Sequence, residues 1–330
     1  MSSPSPTPPA KHSPSWVTRL PMHGLPREVA VLTSVAFFVA LGFGILAPAI
    51  PLFAKSFGVS NLAASSIISV FALMRFVSAL AGGNLVNRLG ERVVLATGIG
   101  IVAVSSFFAG LAQSFPQLLL LRGIGGVGSA MFTVSALSLL LRVAGPEQRG
   151  QASGSFQSGF LLGGIFGPAF GGPLTEWSIR APFFVYAGTL AAAGTVAMVF
   201  LARTSLHERD AVTGADHAPT RLSTAFRSSA YRAAVINNFA NGWAIFGVRA
   251  ALIPIFVVEG LKVGASWTGI GLVVGALTQV AVLIPAGRLA DRRGRRPYLL
   301  AGAALALVAA VALAFSGSIP PYLLAMALFG

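Results

Sequence analysis

The segment GNLVNRLGER at residues 83–92 recurs as GRLADRRGRR at residues 287–296, with five of the ten residues identical. A second segment, GILAPAIPLF at residues 44–53, matches GVRAALIPIF at residues 247–256, again at five of ten positions. The two pairs are offset by 204 and 203 residues, so one displacement accounts for both. This constant offset indicates that the second half of the chain is a structural repeat of the first.

Long apolar stretches separate the repeated segments. Hydrophobic residues make up 55% and charged residues only 10% of the 330 residues, against about 25% charged in a typical soluble domain. A helix that crosses a bilayer needs about 20 apolar residues. Nine stretches are predicted to be complete spans: 29–53, 62–84, 93–113, 117–141, 151–175, 181–202, 233–258, 264–286 and 297–316. An even number of spans lies between the repeated segments, so both copies have one orientation, as in the parallel repeats of some transporters.

The repeat predicts four regions in the chain. We expect a disordered cytoplasmic tail at residues 1–28, a six-helix bundle at 29–202, a cytoplasmic linker at 203–232 and a second bundle at 233–330. Six spans in the first bundle predict six in the second, of which three and about half of a fourth precede Gly330. The predicted fold class is therefore an all-α integral membrane protein with two six-helix repeats, and about nine and a half of the twelve expected spans lie in this chain.

Basic residues concentrate on one side of the predicted spans. The net charge of +14 would point to nucleic acid in a soluble protein. However, 17 of the 23 Lys and Arg residues fall in loops on the side of the N-terminus, and only Lys55, Arg180 and Lys262 fall on the other side. This positive-inside pattern explains the charge without a nucleic-acid partner and predicts a cytoplasmic N-terminus. The preference for arginine over lysine favours a GC-rich bacterial genome, and hence the bacterial cytoplasmic membrane.

The residues that usually carry metal or enzyme chemistry are scarce. The sequence has no cysteine, and its four histidines lie in polar segments. We therefore expect no metal and no cofactor. No paired carboxylates or Ser/His pair fall in the predicted spans, which favours a transporter over a membrane enzyme. The expected partners are a small-molecule substrate, protons and the lipid bilayer, and we expect a monomer.

The fifth predicted span carries GGIFGPAFGG at residues 163–172. Glycines at four-residue spacing leave one helix face bare, so that another helix can approach closely, and a proline inside the span is expected to bend it. The segment resembles the motif that marks antiporters within the major facilitator superfamily. The residues that match this motif are Gly163, Gly167, Pro168, Gly171 and Gly172.

The repeated segments 83–92 and 287–296 resemble the loop motif of the same superfamily, which implies a cytoplasmic gate. The first copy departs from the motif at Asn87 and Glu91, where Asp and a basic residue are usual. We expect the glycines to end helices and the arginines to reach helix ends or carboxylates of neighbouring spans; alternatively, the arginines only fix the topology. The candidate gate residues are Gly83, Asn87, Arg88, Gly90 and Arg92 in the first copy and Gly287, Asp291, Arg292, Gly294 and Arg296 in the second.

Three arginines, Arg75, Arg122 and Arg249, lie inside predicted spans. Because an intramembrane arginine is costly, it marks a functional site or a buried pair. Facing a cavity, these side chains would favour an anionic group; alternatively, they bond to carbonyls freed at helix kinks. Arg122 also resembles an arginine that the superfamily has near its proton pathway. The amides that could bind substrate or tie helices together are Asn238, Asn241, Gln157 and Gln279.

The resemblance implies proton-coupled efflux of small amphipathic or drug-like molecules, with the two bundles rocking about a central cavity. No carboxylate falls in the core of a predicted span, and arginine does not lose its proton in the working range. The proton carrier is therefore expected in spans beyond Gly330 or at Glu176 or Glu259, unless the transporter is not proton-coupled. The alternative function is an importer or exchanger of small anionic metabolites that uses the buried arginines as ligands.

Overall fold

The computed structural model describes residues 25–201, 227–293 and 295–329, and these residues form helices and connecting turns without a strand. The first bundle contains seven helices because its first span is broken in two. They are α1 (Arg27–Leu46), α2 (Ala49–Lys55), α3 (Asn61–Leu89), α4 (Glu91–Gly110), α5 (Phe115–Val143), α6 (Arg149–Trp177) and α7 (Ala181–Leu201).

The second bundle begins with α8 (Ser229–Gly242), which passes without a loop into π-helix over Trp243–Leu252. One α-helical turn at Ile253–Ile255 and a second π-helical stretch at Phe256–Gly260 complete this span. Three helices follow it: α9 (Ser266–Arg293), α10 (Arg295–Ala314) and α11 (Ile319–Phe329).

The helices are those of a membrane protein. Within the described ranges, six helical stretches are long and apolar enough to cross a bilayer: Arg27–Lys55, Asn61–Leu89, Glu91–Gly110, Phe115–Val143, Ala181–Phe200 and Arg296–Ala314. Helix α6 is as long as α3 and α5, but it is rich in glycine and polar residues. The all-α membrane fold predicted from the sequence is confirmed.

Local signals explain where α3 begins and ends. The Ser60 hydroxyl accepts a hydrogen bond from the Ala63 amide at 3.2 Å and caps the first turn. At the other end, Gly90 adopts φ +80°, a conformation that favours glycine, and separates α3 from α4. Helix α3 thus runs five residues beyond the predicted span, so Asn87 and Arg88 lie in its last turn and not in a loop.

The helices of the first bundle enclose one continuous apolar core. Helix α1 packs on α6 and α7, α4 packs on α5 and α7, and α3 packs on α5. The core includes Leu32, Ile50, Ile67, Leu95 and Leu139, all with at most 2% of their surface exposed. In the second bundle α9 packs on α11 and, across the molecule, on α6. Helix α6 is therefore in contact with both bundles.

The polar turns define two ends of the molecule. One end, called here the Glu259 end, contains the turns at residues 56–60, 178–180 and 261–265, and contacts between Asn61 and Glu259 and between Glu176 and Ser266 bring them together. The opposite end contains Gly90 and the turn before α6, and it is called the Arg88 end.

Candidate functional site

A cavity of about 630 Å³ lies between the two bundles. Helices α1, α3, α5, α6 and α7 of the first bundle line it, together with the π-helical stretch Trp243–Leu252 and α9 of the second. Its volume is in the range of sites for small organic molecules. Both repeats therefore contribute walls to one central cavity.

Aromatic side chains form much of the cavity wall. Phe156 and Phe160 lie one turn apart on α6 with ring centroids 5.3 Å apart, and Phe132 of α5 lies 6.3 Å from Phe160. Phe43 of α1 and Phe71 of α3 stack at 6.4 Å. This wall suits an apolar, preferably aromatic, molecular body.

Two arginines line the cavity, one from each bundle. Arg75 of α3 donates a hydrogen bond to the Thr133 hydroxyl of α5 at 3.1 Å. Arg249 lies on the π-helical stretch, and its guanidinium reaches Gly275 of α9, where a Cβ atom would stand 3.2 Å from Nη2. Residues in π-helical turns frequently belong to functional sites. Both arginines line the cavity, and their binding of an anionic group stays a prediction.

The amides predicted for substrate binding are distributed unevenly. Gln157 of α6 and Gln279 of α9 line the cavity from opposite bundles. Asn238 and Asn241 lie on α8, and their side chains are outside the described part of the structure. The structure therefore brings Gln157 and Gln279 together with Arg75 and Arg249, and their role in binding stays a prediction.

Arg122 differs from the other two intramembrane arginines. Its side chain is 1% exposed and does not line the cavity. Its guanidinium carbon lies 4.4 Å from the centroid of the Phe71 ring, and its Nε has no hydrogen-bond partner among the described residues. A stacked guanidinium of this kind supports the wall of the cavity through Phe71. Of the two alternatives considered for the intramembrane arginines, the position of Arg122 favours the structural one, and its suggested part in coupling stays a prediction.

The glycines of the antiporter-like motif bring α6 close to α1. A Cβ atom at Gly163 would lie 2.5 Å from the Phe37 carbonyl oxygen, and one at Gly167 would lie 2.5 Å from that of Leu41. Gly159 and Gly171 meet the carbonyl oxygens of Thr33 and Ile45 in the same way. The row at four-residue spacing is thus the contact face predicted from the sequence, and any side chain there would collide with backbone.

Gly172 and the carbonyl group of Pro168 face the second bundle, whereas the Pro168 ring lies against Gly44 of α1. A Cβ atom at Gly172 would lie 2.8 Å from the Ser266 Cα atom, and one at Gly269 of α9 would collide with the Pro168 carbonyl oxygen. Pro168 also lines the cavity, and α6 continues as helix through it. The motif residues of α6 therefore contact α1 and α9, and Pro168 also lines the cavity.

The loop motif of the first copy ends α3 and begins α4. Gly90 breaks the helix as predicted, but Gly83 lies within α3, so the expectation that it ends a helix is wrong. Glu91 is buried in the first turn of α4; it pairs with Arg142 of α5 and accepts a hydrogen bond from the Ser138 hydroxyl at 3.2 Å. The carboxylate at the variant position thus links two neighbouring helices of one bundle.

The rest of the loop motif contributes less to the described structure. Asn87 and Arg88 are exposed, and Arg92 is half-buried at the start of α4. In the second copy Gly287, Asp291 and Arg292 lie within α9, so Gly287 does not end a helix either. Gly294 lies outside the described residues, and Arg296 is exposed in the first turn of α10.

Polar contacts at the Glu259 end connect the two bundles. Glu259 pairs with Lys55 at 3.3 Å and accepts a hydrogen bond from the Asn61 amide, also at 3.3 Å. Glu176 accepts a hydrogen bond from the Ser266 backbone amide at 2.8 Å. The two carboxylates predicted as candidate proton carriers therefore both lie in contacts between the bundles.

Several cavity residues were absent from the sequence-based prediction. Thr133, Tyr186 and the five phenylalanines line the cavity. Tyr186 was the one phenol in its predicted span, which was a signal for a polar function. The phenylalanines gave no signal, because aromatic residues are equally common on lipid-facing surfaces.

A repeated helical membrane protein with a central cavity lined by both repeats has the architecture of secondary transporters. The comparison with known proteins gives the class. Residues 32–330 match the Major Facilitator Superfamily, and the chain belongs to this family of transporters.

Two groups of relatives have names that refer to resistance. The chain is 29% identical over 164 residues to the quinolone resistance protein NorA of Staphylococcus aureus, a match that covers 50% of this chain and 42% of NorA. It is 25% identical over 259 residues to multidrug resistance protein 1 of Bacillus subtilis, covering 77% of this chain and 65% of the relative. The matches thus span 42% and 65% of the lengths of these relatives.

Solved structures confirm the fold. A bacterial homologue of the human lysosomal transporter Spinster, described as inward-facing and unoccupied, superposes with a TM-score of 0.71 at 18% identity, over 96% of this chain and 74% of that one. Its occupied inward-facing form gives a TM-score of 0.64 at 19% identity. The expected membership of the superfamily is confirmed by the family match over residues 32–330.

Proposed function

We propose that this protein is a secondary transporter that exports small amphipathic molecules by alternating access of its two bundles. The observation that carries the proposal is a cavity with walls from both repeats, with Arg75 on one side and Arg249 on the other. Rocking of the bundles would expose such a site to each side of the membrane in turn. The resistance proteins among the relatives support export over import.

The Arg88 end is proposed to face the cytoplasm of a bacterial cell, because the predicted basic loops belong to that side. The cavity reaches Ser153, about one turn from the start of α6 at the Arg88 end. The Glu259 end is bridged by the contacts of Glu176 and Glu259. This arrangement supports an inward-facing state, which is also the state named for the Spinster homologue.

Proton coupling belongs to the same proposal. Within the described residues, Glu176 and Glu259 are the carboxylates that bond across the two bundles. Protonation of either carboxylate would remove a charge from a contact that closes the outer end, and opening would follow. Protons entering from outside would thus favour the outward-facing state from which substrate leaves.

The second candidate function is exchange or import of small anions. The observation in its favour is the pair Arg75 and Arg249, which gives the cavity a positive charge. An exchanger would move an anion in both directions without a proton gradient. Transport measured with and without a gradient therefore separates the two functions.

The test uses inside-out membrane vesicles with an imposed pH gradient, a panel of fluorescent amphipathic dyes and a pH indicator in the lumen. Export predicts gradient-dependent dye uptake accompanied by proton release from the lumen. Because the chain has no cysteine, Asn61→Cys/Glu259→Cys offers a control specific for the bundle contact. Because Glu259→Cys also removes a proposed carboxylate, dye uptake of each variant is compared with and without the reagent. A short bifunctional thiol reagent should stop the uptake that the double variant retains, a cleavable reagent should allow recovery after reduction, and the uptake of either single-cysteine protein should be the same with and without the reagent. Dye uptake that persists in the cross-linked protein would contradict alternating access.

A further inference from the structure

We infer that the cavity binds amphipathic anions, with the acidic group of the ligand between Arg75 and Arg249 and its apolar body against the phenylalanine wall. This inference rests on the proposed function, because it takes the cavity as the substrate site. It goes further by naming the charge and shape of the substrate.

The first argument is the charge of the cavity. Among the described residues that line it, two are arginines and none is a carboxylate. The acidic residues of the described chain lie at helix ends or in turns away from the cavity: Glu28, Glu91, Glu147, Glu176, Glu259 and Asp291. A guanidinium that is removed from water needs an anion or several acceptors to offset the lost hydration. Among the described residues the two arginines have no such partner, and a bound anion would provide one.

The second argument is the number of unused hydrogen-bond donors. A guanidinium carries five N–H donors in a fork that matches a carboxylate or phosphate. Arg75 bonds to one neutral hydroxyl, that of Thr133. Arg249 has no hydrogen bond or ion pair to another described residue. Donors therefore stand free on both sides of the cavity.

The third argument comes from the repeat. Arg75 lies between the two repeated segments, so the offsets of 203 and 204 make Thr278 or Gln279 its counterpart, and the offset of 203 makes Leu46 the counterpart of Arg249. Because these equivalent positions hold a neutral polar and an aliphatic side chain, the common fold requires an arginine at neither position. Two costly side chains that the fold does not need are best explained by the ligand.

The shape of the cavity restricts the anion further. Phe43, Phe71, Phe132, Phe156 and Phe160 would lie against water around a small inorganic anion, whereas an aromatic body would cover them. A lipophilic cation would fill the same wall but would meet two like charges. The cavity therefore favours an aromatic or aliphatic acid.

The position of the arginines also connects binding with movement. Arg75 belongs to the first bundle and Arg249 to the second. An anion that bonds to both joins the bundles at the centre of the molecule, so a bound anion favours conformations in which the two side chains are close. A cation would have no such effect.

The test compares two probes with one ring system and opposite charges, anthracene-9-carboxylate and 9-(aminomethyl)anthracene in its ammonium form. Binding to the purified protein in lipid nanodiscs is measured by fluorescence anisotropy. We expect the carboxylate to bind at least about tenfold more tightly than the ammonium. Arg75→Gln and Arg249→Gln should each weaken carboxylate binding about tenfold or more and leave ammonium binding unchanged or stronger.

Conservative and distant variants serve as controls. Arg75→Lys and Arg249→Lys keep the positive charge but lose the planar, forked set of guanidinium donors. The affinity for the carboxylate should therefore lie between the affinities of the wild type and the glutamine variants. Arg27→Gln removes an exposed arginine of α1 and should change neither affinity. Thermal unfolding of each variant identifies any that fails to fold, and the lysine variants then carry the comparison.

The outcomes separate this inference from the proposed function. Equal affinity for the two probes, or carboxylate binding that is indifferent to both arginines, would overturn the anion site while leaving transport of other molecules possible. Tight, arginine-dependent carboxylate binding without movement of any dye in vesicles would support the anion site and contradict export.

Discussion

The two sides of α6 make different kinds of contact. On one side, Gly163 and Gly167 bring α6 against the backbone of α1, its neighbour within the first bundle. On the other side, Gly172 meets Ser266 of α9, which belongs to the second bundle. Both contacts need glycine because a Cβ atom would collide with main-chain or neighbouring atoms. Under the proposed alternating access, the contact with α1 would persist and the contact with α9 would have to open.

The carboxylates show the same difference. Glu91 is buried and pairs with Arg142 inside the first bundle. Glu259 pairs with Lys55 across the bundles, where its side chain is 42% exposed. Only Glu91 is buried in its pair, since 40% of the Arg142 side chain is exposed, but a buried carboxylate is costly to leave unpaired. Glu259 and Lys55 are both partly exposed, and a solvated pair of this kind is weak. Under the proposed mechanism, the contacts within a bundle would persist and the contacts between the bundles would open.

The largest effect is expected for Gly163→Ala. The added methyl group would stand 2.5 Å from the Phe37 carbonyl oxygen and 2.6 Å from the Leu41 amide nitrogen, and neither backbone atom can rotate away. Overpacking of this kind costs about 1–3 kcal/mol, which predicts a melting temperature lower by roughly 5 °C. Thermal unfolding of the wild type and the variant in detergent measures this difference in melting temperature.

Gly164→Ala is the matched control for this prediction. The same methyl group one residue away would have no neighbour within 4 Å, and alanine is the better helix former by about 1 kcal/mol. The melting temperature should stay constant or rise. If both variants lowered the melting temperature equally, α6 would be intolerant of alanine in general. The result would then contradict a specific close contact between Gly163 and α1.

The next effect is expected for Glu91→Ala, which breaks the persistent pair. Removal of the carboxylate leaves Arg142 and the Ser138 hydroxyl without this partner, a loss of about 1–3 kcal/mol in the free energy of unfolding. Glu147→Ala, at an exposed turn residue, should cost less than about 0.5 kcal/mol. Neither change should alter the distance between the bundles at the Glu259 end.

The sequence predicted the within-bundle contact of α6 well. The four-residue spacing of its glycines defines one helix face, and that face is the one against α1. The break at Gly90 could also be predicted, because glycine readily adopts the positive φ angle that ends a helix. Arg75 and Arg249 were recognisable because a charge inside a span needs a polar surrounding.

The sequence could not predict which apolar faces turn towards the cavity. A span that is apolar all round has no periodic signal to separate the cavity face from the lipid face. The phenylalanine wall and the burial of Arg122 behind the Phe71 ring depend on this choice of face. The π-helical stretch before Leu252 changes the helical period, and no sequence signal predicted it.

Gly172→Ala tests the contact between the bundles. The methyl group would meet the Ser266 Cα atom at 2.8 Å and its carbonyl oxygen at 3.0 Å, so it should loosen the closed Glu259 end without unfolding either bundle. Spin labels on Leu62→Cys and Ile270→Cys, one on each bundle, report the separation in this cysteine-free chain. A shift of about 1.4 kcal/mol in the free-energy difference between the closed and open states would raise the open population roughly tenfold.

The control for this measurement is Gly100→Ala, at a position on α4 with open space around it. It should leave the distance distribution unchanged. If Gly172→Ala lowers the melting temperature as much as Gly163→Ala does and leaves the label distances constant, the contact with α9 is as permanent as that with α1.

The smallest effect is expected for Glu259→Gln. Glutamine keeps an oxygen for the Asn61 amide but loses the ion pair with Lys55. An exposed pair contributes about 0–1 kcal/mol, so the open population at the same spin labels should rise at most about fivefold, and stability should not change.

Lys55→Gln should have a similar effect, and the double variant should add little to either, because the second change removes a pair already broken. High salt should reduce the difference between the wild type and Glu259→Gln, since it screens exposed charges. A loss of stability like that of Glu91→Ala would mean that Glu259 holds the bundles together permanently, and the proposed opening of this end would then need another trigger.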